Sequence, residues 1–183
     1  MTILITDKDF ADAVKNNERI QNKTIYWIGE EPNFSCLGLA PVAFAQTKYE
    51  IGKYYPNKGV YAGELKKEDG FYGIFATLQD AGEKDEDGDS QEYTWDEAMK
   101  IKFSQDNIHV PDIRELSLLH LNIDDVNAGL SAAGGEKLEG YYWSSTEYDN
   151  DNAWRLRMSD GGRFKLNKYY SYGYVRPVLT IKL

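Results

Sequence analysis

Trp154-Arg155-Leu156-Arg157-Met158, then Asp160-Gly161, then Arg163-Phe164-Lys165-Leu166-Asn167 is the stretch on which the fold turns. Apolar and polar residues alternate with period two through both runs, the pattern of a half-buried strand. Asp160-Gly161 between them is a hairpin turn signal. The pattern predicts an antiparallel hairpin. Trp154, Leu156, Met158, Phe164 and Leu166 are expected on its inward face. Arg155, Arg157, Arg163, Lys165 and Asn167 are expected on its outward face.

Downstream of the hairpin, Tyr174 to Leu183 reads as a last strand. Upstream lie helix signals. Thr94-Trp95-Asp96-Glu97 is a capping box, in which Thr94 accepts from the Glu97 N–H and Glu97 reaches back. A helix is expected from there to about Phe103. Pro111 precedes a second start, Asp112-Ile113-Arg114-Glu115, with Leu116 and Leu119 turning inward. A third helical piece, Val126 to Ala133, is expected to stop at Gly134-Gly135. Earlier still, Gly52 to Val60 reads as strand and turn, Tyr72 to Leu78 as a β-rich run, and Asp80 to Glu92 as an acidic loop. Strands, then helices, then antiparallel strands make an α+β domain. A helix over Asp7 to Glu18 and a strand over Thr24 to Gly29 predict a short N-terminal α/β appendage. The boundary is placed near Tyr49, so that residues 1–48 form a segment with no assigned role and residues 49–183 form the main domain.

The bulk numbers narrow the function. The chain has 183 residues and a formal charge of -9. A binder of phosphates needs a basic footprint, so nucleic acid is not expected as a partner. Cys36 is the one cysteine, which rules out an internal disulfide and a cysteine-based zinc cage. The start lacks a basic n-region and a long apolar run, so no signal peptide is expected. No stretch approaches the ~18 apolar residues of a membrane span, so no membrane insertion is expected either. The expectation is a protein made in the cytoplasm that, if it works outside, leaves by lysis, in a virion or by a route the sequence does not reveal. Tyrosine is abundant, with 14 in the chain, and it offers large contact area with few rotatable bonds.

Gly140-Tyr141-Tyr142-Trp143-Ser144-Ser145-Thr146-Glu147-Tyr148, then Ala153-Trp154, then Tyr174-Val175-Arg176-Pro177-Val178 form a further pattern. Together with Thr94-Trp95-Asp96-Glu97-Ala98 and Pro111-Asp112-Ile113-Arg114-Glu115-Leu116, this order resembles a bacterial and phage C-type-lectin-like family. That family includes the variable proteins of diversity-generating retroelements and is distantly similar to formylglycine-generating enzymes. The resemblance spans Tyr49 to Leu183. It implies a C-type lectin fold with two to three helices and an antiparallel C-terminal sheet. It also implies a non-enzymatic, receptor-type ligand-binding protein whose C-terminal surface is hypervariable. In the retroelement proteins, adenine-directed mutagenesis turns template Asn codons into Tyr, Asp, Ser and Asn while apolar positions stay fixed. The segment from Tyr148 to Tyr172 is dense in those residue types.

The candidate ligand-binding residues are therefore Tyr148, Asp149, Asn150, Asp151, Asn152, Arg155, Arg157, Ser159, Asp160, Arg163, Lys165, Asn167, Tyr169, Tyr170, Ser171 and Tyr172. Tyr and Arg are the residues most enriched at binding hot spots. The bland alternative is a merely solvated sheet face. The expected partner is a protein or glycan on a cell surface, with self-association left open. Two other functions compete: a non-diversified lectin-like adhesin for glycans, and an enzyme of the formylglycine-generating branch. The latter uses a pair of cysteines, whereas Cys36 stands alone outside the matching region.

The remaining constellations read as structural. Glu31-Pro32-Asn33 reproduces a calcium-lectin triplet, but it lies ahead of the helices, and Trp154 is followed by Arg155 rather than Asn-Asp. Asp85 to Glu92 resembles half of a calcium loop, with the glycine misplaced and Glu92 too early. His109 and His120 have no metal-ligand spacing. No metal or cofactor is expected. Arg176 and Trp143 are assigned to the framework, with Glu147 or Glu115 as the expected partner of Arg176.

Overall fold

In the five-stranded sheet, alternation sends successive side chains to opposite faces. The computed structural model describes residues 49–183 apart from Asp85, Asp87 and Asp89. These residues belong to the unit Thr47–Leu183. The helix over Asp7 to Glu18, the strand over Thr24 to Gly29, Cys36 and Glu31-Pro32-Asn33 lie outside the described residues.

The strands are β1 (Tyr54–Tyr55), β2 (Gly59–Lys67), β3 (Gly70–Ala76), β4 (Ile108–His109), β5 (Tyr141–Glu147), β6 (Asn152–Arg157), β7 (Arg163–Asn167) and β8 (Val178–Lys182). The helices are α1 (Trp95–Ala98), α2 (Ile113–Leu121) and α3 (Ile123–Ala132). One sheet has the order β1-β2-β3-β8-β4, and a second has the order β5-β6-β7. All pairings within both sheets are antiparallel. Mixed α+β architecture with an antiparallel sheet and few helices is thus what the chain adopts.

On the larger sheet, Val60, Ala62, Ile74, Ala76 and Val178 face the helices and pack on Leu116, Leu119, Val126 and Leu130. Their neighbours in sequence, Tyr61, Phe75 and Leu179, face the other way and gather with Tyr49. Those rings meet edge-on or tilted, with Tyr49–Phe75 centroids at 4.9 Å and Tyr61–Phe75 at 5.0 Å.

The helix ends follow their capping chemistry. Asp112 accepts from the Arg114 and Glu115 N–H groups, and Glu115 reaches back to the Asp112 N–H. Thr94 and Glu97 close the other expected box. The stop at Gly134-Gly135 is a Schellman motif: Gly135 N–H donates to Leu130 O at 2.8 Å, Gly134 N–H donates to Ser131 O at 3.1 Å, and Gly134 has φ +73.

Helix α1 departs from expectation. It ends at Ala98 rather than near Phe103. Lys100 and Ile101 N–H groups bond three residues back, to Glu97 and Ala98, which tightens and ends the turn. Met99, Ile101 and Phe103 then leave the helix to pack beside Trp143, Ala153 and Val175.

Candidate functional site

The site expected at the C-terminal hairpin rests on the smaller sheet, and register decides which side chains share a face. β6 and β7 pair Trp154 with Lys165, Arg155 with Phe164, and Leu156 with Arg163. Directly paired residues lie on the same face of a sheet. Trp154, Leu156, Arg163 and Lys165 therefore share one face, and Arg155, Arg157, Phe164 and Leu166 share the other. This corrects the expected division, in which all the apolar residues of both strands faced one way. The turn explains it. Met158, Ser159, Asp160 and Gly161 form a four-residue loop, closed by Arg157 N–H to Gly162 O and Gly161 N–H to Arg157 O, both 2.9 Å. Any loop with an even number of residues pairs odd-numbered positions with even-numbered ones. The two strands' apolar sets must then face opposite ways.

Both faces are consequently partly packed. Tyr142, Leu156 and Met158 join the core beneath α2 and α3. Trp143, Ala153 and Leu166 join the cluster built around Trp95, Val110 and Val175. Trp154 is not in the core. It is half-buried and lies edge-on against the exposed Tyr148, with centroids 5.2 Å apart. Lys165 lies over the same Tyr148 ring at 4.8 Å. Arg163 extends to Ser117 on α2, donating at 2.9 Å.

On the opposite face, the Arg155 guanidinium lies 4.4 Å from the Tyr141 ring centroid and 5.9 Å from that of Trp143. Arg157 lies over Phe164 at 5.2 Å and donates to the Tyr141 hydroxyl at 3.3 Å. It also forms a two-pronged pair with Asp160, Nε to Oδ1 at 2.8 Å and Nη2 to Oδ2. That hydrogen bond, with a second from the Gly162 N–H, holds the Asp160 carboxyl down to about 2. Tyr141 and Phe164 were absent from the expected site. The loop parity just described is the signal that would have found Phe164, whereas Tyr141 comes beside Arg157 through the β5–β6 register, which has a shift between Trp143 and Glu147.

The tyrosine loop is held at both ends. Asn167 Oδ1 accepts from the N–H groups of Tyr169 at 2.9 Å and Tyr170 at 3.2 Å. Arg155 Nη1 donates to the Tyr172 carbonyl. Gly173 then pairs with Tyr93 through two backbone bonds of 3.0 Å. A Cβ at Gly173 would stand 3.1 Å from Arg155 Cδ and 3.3 Å from Trp143 Cδ1, so the loop lies hard against the sheet. Lys168 is buried, bonded to Glu147 at 2.5 Å and to the Asn150 carbonyl at 3.0 Å, with its ammonium over Trp95 at 4.6 Å. Between these anchors the side chains of Tyr169, Tyr170 and Tyr172 stand exposed at 49%, 84% and 53%. Ser171 is half-buried beside them.

The β5–β6 turn is built by Asp149, whose Oδ1 accepts from Asp151 N–H, Asn152 N–H and Asn152 Nδ2 at 2.8–2.9 Å. The Asn152 amide lowers the Asp149 pKa. Asn150, Asp151 and Ser159 are exposed. None of the sixteen candidate residues is buried. Those on the strands fall on opposite faces of one hairpin, Asn152, Arg163, Lys165 and Asn167 on one and Arg155 and Arg157 on the other, and the tyrosine loop is tied to Arg155.

The framework charges sit elsewhere. Arg176 is fully buried and donates to Asp80 Oδ1 at 2.6 Å, Thr77 O at 2.9 Å and Glu136 O at 3.1 Å. Glu147 and Glu115 are not its partners, since Glu147 takes Lys168 and Glu115 takes His109 and Lys67. Burial pushes the Asp80 carboxyl up, against the pull of Arg176 and Tyr142. His120 Nδ1 lies 3.0 Å from the Met158 carbonyl. Among the described residues no group of three or more His, Cys, Asp and Glu side chains is placed to hold a metal ion, and no helix is long and apolar enough to cross a membrane. In comparison with known proteins, no family model and no curated protein matches the chain.

Proposed function

We propose that the chain is a non-enzymatic ligand-binding protein with a C-type lectin fold, displaying a recognition surface on the β6–β7 hairpin and the tyrosine loop that follows it. The observation that carries this reading is the tyrosine loop itself. Three exposed tyrosines rise from a backbone tied down by Asn167, Arg155 and Gly173. Exposed rings on a fixed backbone lose little entropy when a ligand orders them, which is how rigid aromatic contact surfaces gain affinity. The adjoining Tyr141, Arg155, Arg157 and Phe164 add guanidinium groups stacked on rings, and Arg and Tyr dominate binding hot spots.

The retroelement reading is the specific form of this proposal. Side-chain identity is free to change where it neither packs on the framework nor builds a turn, and Asn150, Asp151, Ser159, Tyr169, Tyr170 and Tyr172 meet that description. The ligand is then a protein or glycan on a cell surface. The lectin-like architecture draws support from three features: the chain's last strand lies between β3 and β4 of the larger sheet, two helices pack on that sheet, and a smaller sheet carries the display hairpin. The neighbouring DNA tests the reading. A near-copy of the codons for Tyr141 to Pro177, rich in AAC and AAT and beside a reverse transcriptase gene, is the expected finding. An isolated gene whose copies in related genomes are identical across Tyr148 to Tyr172 would sink it.

A further inference from the structure

Strand β7 ends the smaller sheet. The Arg157 N–H donates to Gly162 O at one end of its ladder with β6, and the Lys168 N–H donates to Asp151 O at the other, both at 2.9 Å. Antiparallel ladders alternate bonded and non-bonded pairs. With the ends fixed in this way, Phe164 and Leu166 bond to β6, and the backbone N–H and C=O of Arg163 and Lys165 point away from it. Other edges are blunted. The larger sheet ends in two-residue strands, β1 and β4. The outer edge of β5 is taken by Tyr174, which bonds to Tyr141 and Trp143 at 2.9 Å. Among the described residues β7 has no strand beside it.

We infer that the β7 edge is a docking site for an extended peptide that alternates acidic and apolar residues, added as a fourth antiparallel or parallel strand. The backbone groups of Arg163 and Lys165 supply the main-chain bonds, as in other strand-addition complexes. Side-chain chemistry sets the pattern. Arg163 and Lys165 are exposed on one face, and neither forms a salt bridge with a carboxylate among the described residues. Phe164 and Leu166 are half-buried on the other face. A partner strand therefore places carboxylates beside the two cations and apolar side chains beside Phe164 and Leu166. Charged side chains on an edge strand also guard against indiscriminate pairing. Here they exclude basic and wholly apolar strands and admit acidic ones, so the same two residues block and select.

The site is independent of the tyrosine loop, and the test separates the two. The probe is a fluorescent, end-blocked peptide of alternating glutamate and valine, on the order of six residues, the length of a common strand. Titrated into the full chain, it is expected to bind at least about tenfold tighter than the matching lysine–valine peptide, and more weakly as salt rises. N-methylation of its backbone on the pairing side should abolish binding with every side chain intact. Hydrogen exchange should slow at the Arg163 and Lys165 amides when the peptide is present. The Arg163→Glu/Lys165→Glu double variant should reverse the preference towards the lysine peptide, and the Tyr169, Tyr170 and Tyr172 to Ser variant should leave it unchanged. No binding, binding that survives N-methylation, or binding without protection at those two amides would each overturn the inference.

Discussion

Arg176 and Lys165 carry the same charge and lie in neighbouring stretches of sequence, yet they live in different solvents. Arg176 is wholly buried and held by Asp80 and two carbonyls. Lys165 stands in water above a tyrosine ring. The same contrast separates the larger sheet with its helices from the hairpin with its loop. In the first region the buried charges Arg176 and Glu115 are held by partners far away in sequence, Asp80 and Lys67, and removing a partner strands a buried charge. In the second, Arg155, Arg157 and Lys165 rest on rings and Asp149 and Asp160 build their own turns, with Lys168 the one buried charge. Tolerance to substitution follows from this difference in solvation, and each expected outcome below either breaks the contrast or sharpens it.

The largest effect is expected at Asp80. Asp80→Asn leaves the Arg176 guanidinium buried without its counter-charge, which costs about 3–5 kcal/mol. Denaturant unfolding should show this as a fall in midpoint with little change in slope. Lys165→Ala in the same assay should shift stability by no more than about 0.5 kcal/mol. Equal losses in the two variants would erase the distinction between the regions.

Two tryptophans sharpen it within a single sheet. Trp143 is fully buried, with its indole N–H on the Tyr93 carbonyl at 2.8 Å. Trp143→Ala should cost about 3–5 kcal/mol. Trp154 alternates with Arg155 in sequence as a core residue would, but it is half-buried against Tyr148. Trp154→Ala should cost about 1–2 kcal/mol, within the ordinary range for point substitutions. A loss at Trp154 as large as at Trp143 would mean that the face bearing Lys165 and Arg163 is covered in solution.

Acid gives a smaller, graded effect. Burial alone would raise the Glu115 pKa, but hydrogen bonds from His109 and the Asp112 N–H, with the charges of His109 and Lys67, hold it at about 2 against a usual 4.5. A carboxyl whose folded pKa is depressed stabilises the fold above its unfolded pKa and loses that contribution as pH falls towards the folded value. The melting temperature should therefore decline between about pH 4.5 and pH 2 from this group. In Glu115→Gln that part of the decline should be missing, with the whole curve set lower. A parallel acid profile in the variant would show that Glu115 does not carry the effect.

Local chemistry was legible in the sequence. The boxes Thr94/Glu97 and Asp112/Glu115, the stop at Gly134 and the order of strands and helices all depend on residues within a few positions of each other. The partners of the buried charges did not show. Asp80 and Arg176 are 96 positions apart, and Thr180 and Glu115 are 65 apart, so only the closed fold brings them together. The short α1 was hidden because packing on Trp143 outweighed the helical pattern of Met99 to Phe103. The two faces of the hairpin were legible in principle. An even loop forces the apolar residues of β6 and β7 apart, and the alternation of each strand, read alone, concealed it.

The smallest expected effect on stability, and the one that bears most on the proposed surface, comes from replacing Tyr169, Tyr170 and Tyr172 together with Ser. All three side chains are exposed. The loop backbone is held by other residues: the Asn167 side chain at its start, Arg155 on the Tyr172 carbonyl and Gly173 against Tyr93. None of those bonds uses a tyrosine side chain. The rings of Tyr169 and Tyr170 do meet each other, at 6.4 Å between centroids, so a little stability should go with them. Exposed substitutions shift stability by within about 0.5 kcal/mol each, so the melting temperature should fall by only a few degrees. Arg155→Ala is the matched control, because it removes the anchor and keeps the rings. It should speed hydrogen exchange at Ser171 and Tyr172 amides, where the triple variant should not. A triple variant that melts far below the parent would mean the tyrosines pack rather than project, and the display surface would have to lie elsewhere on the hairpin.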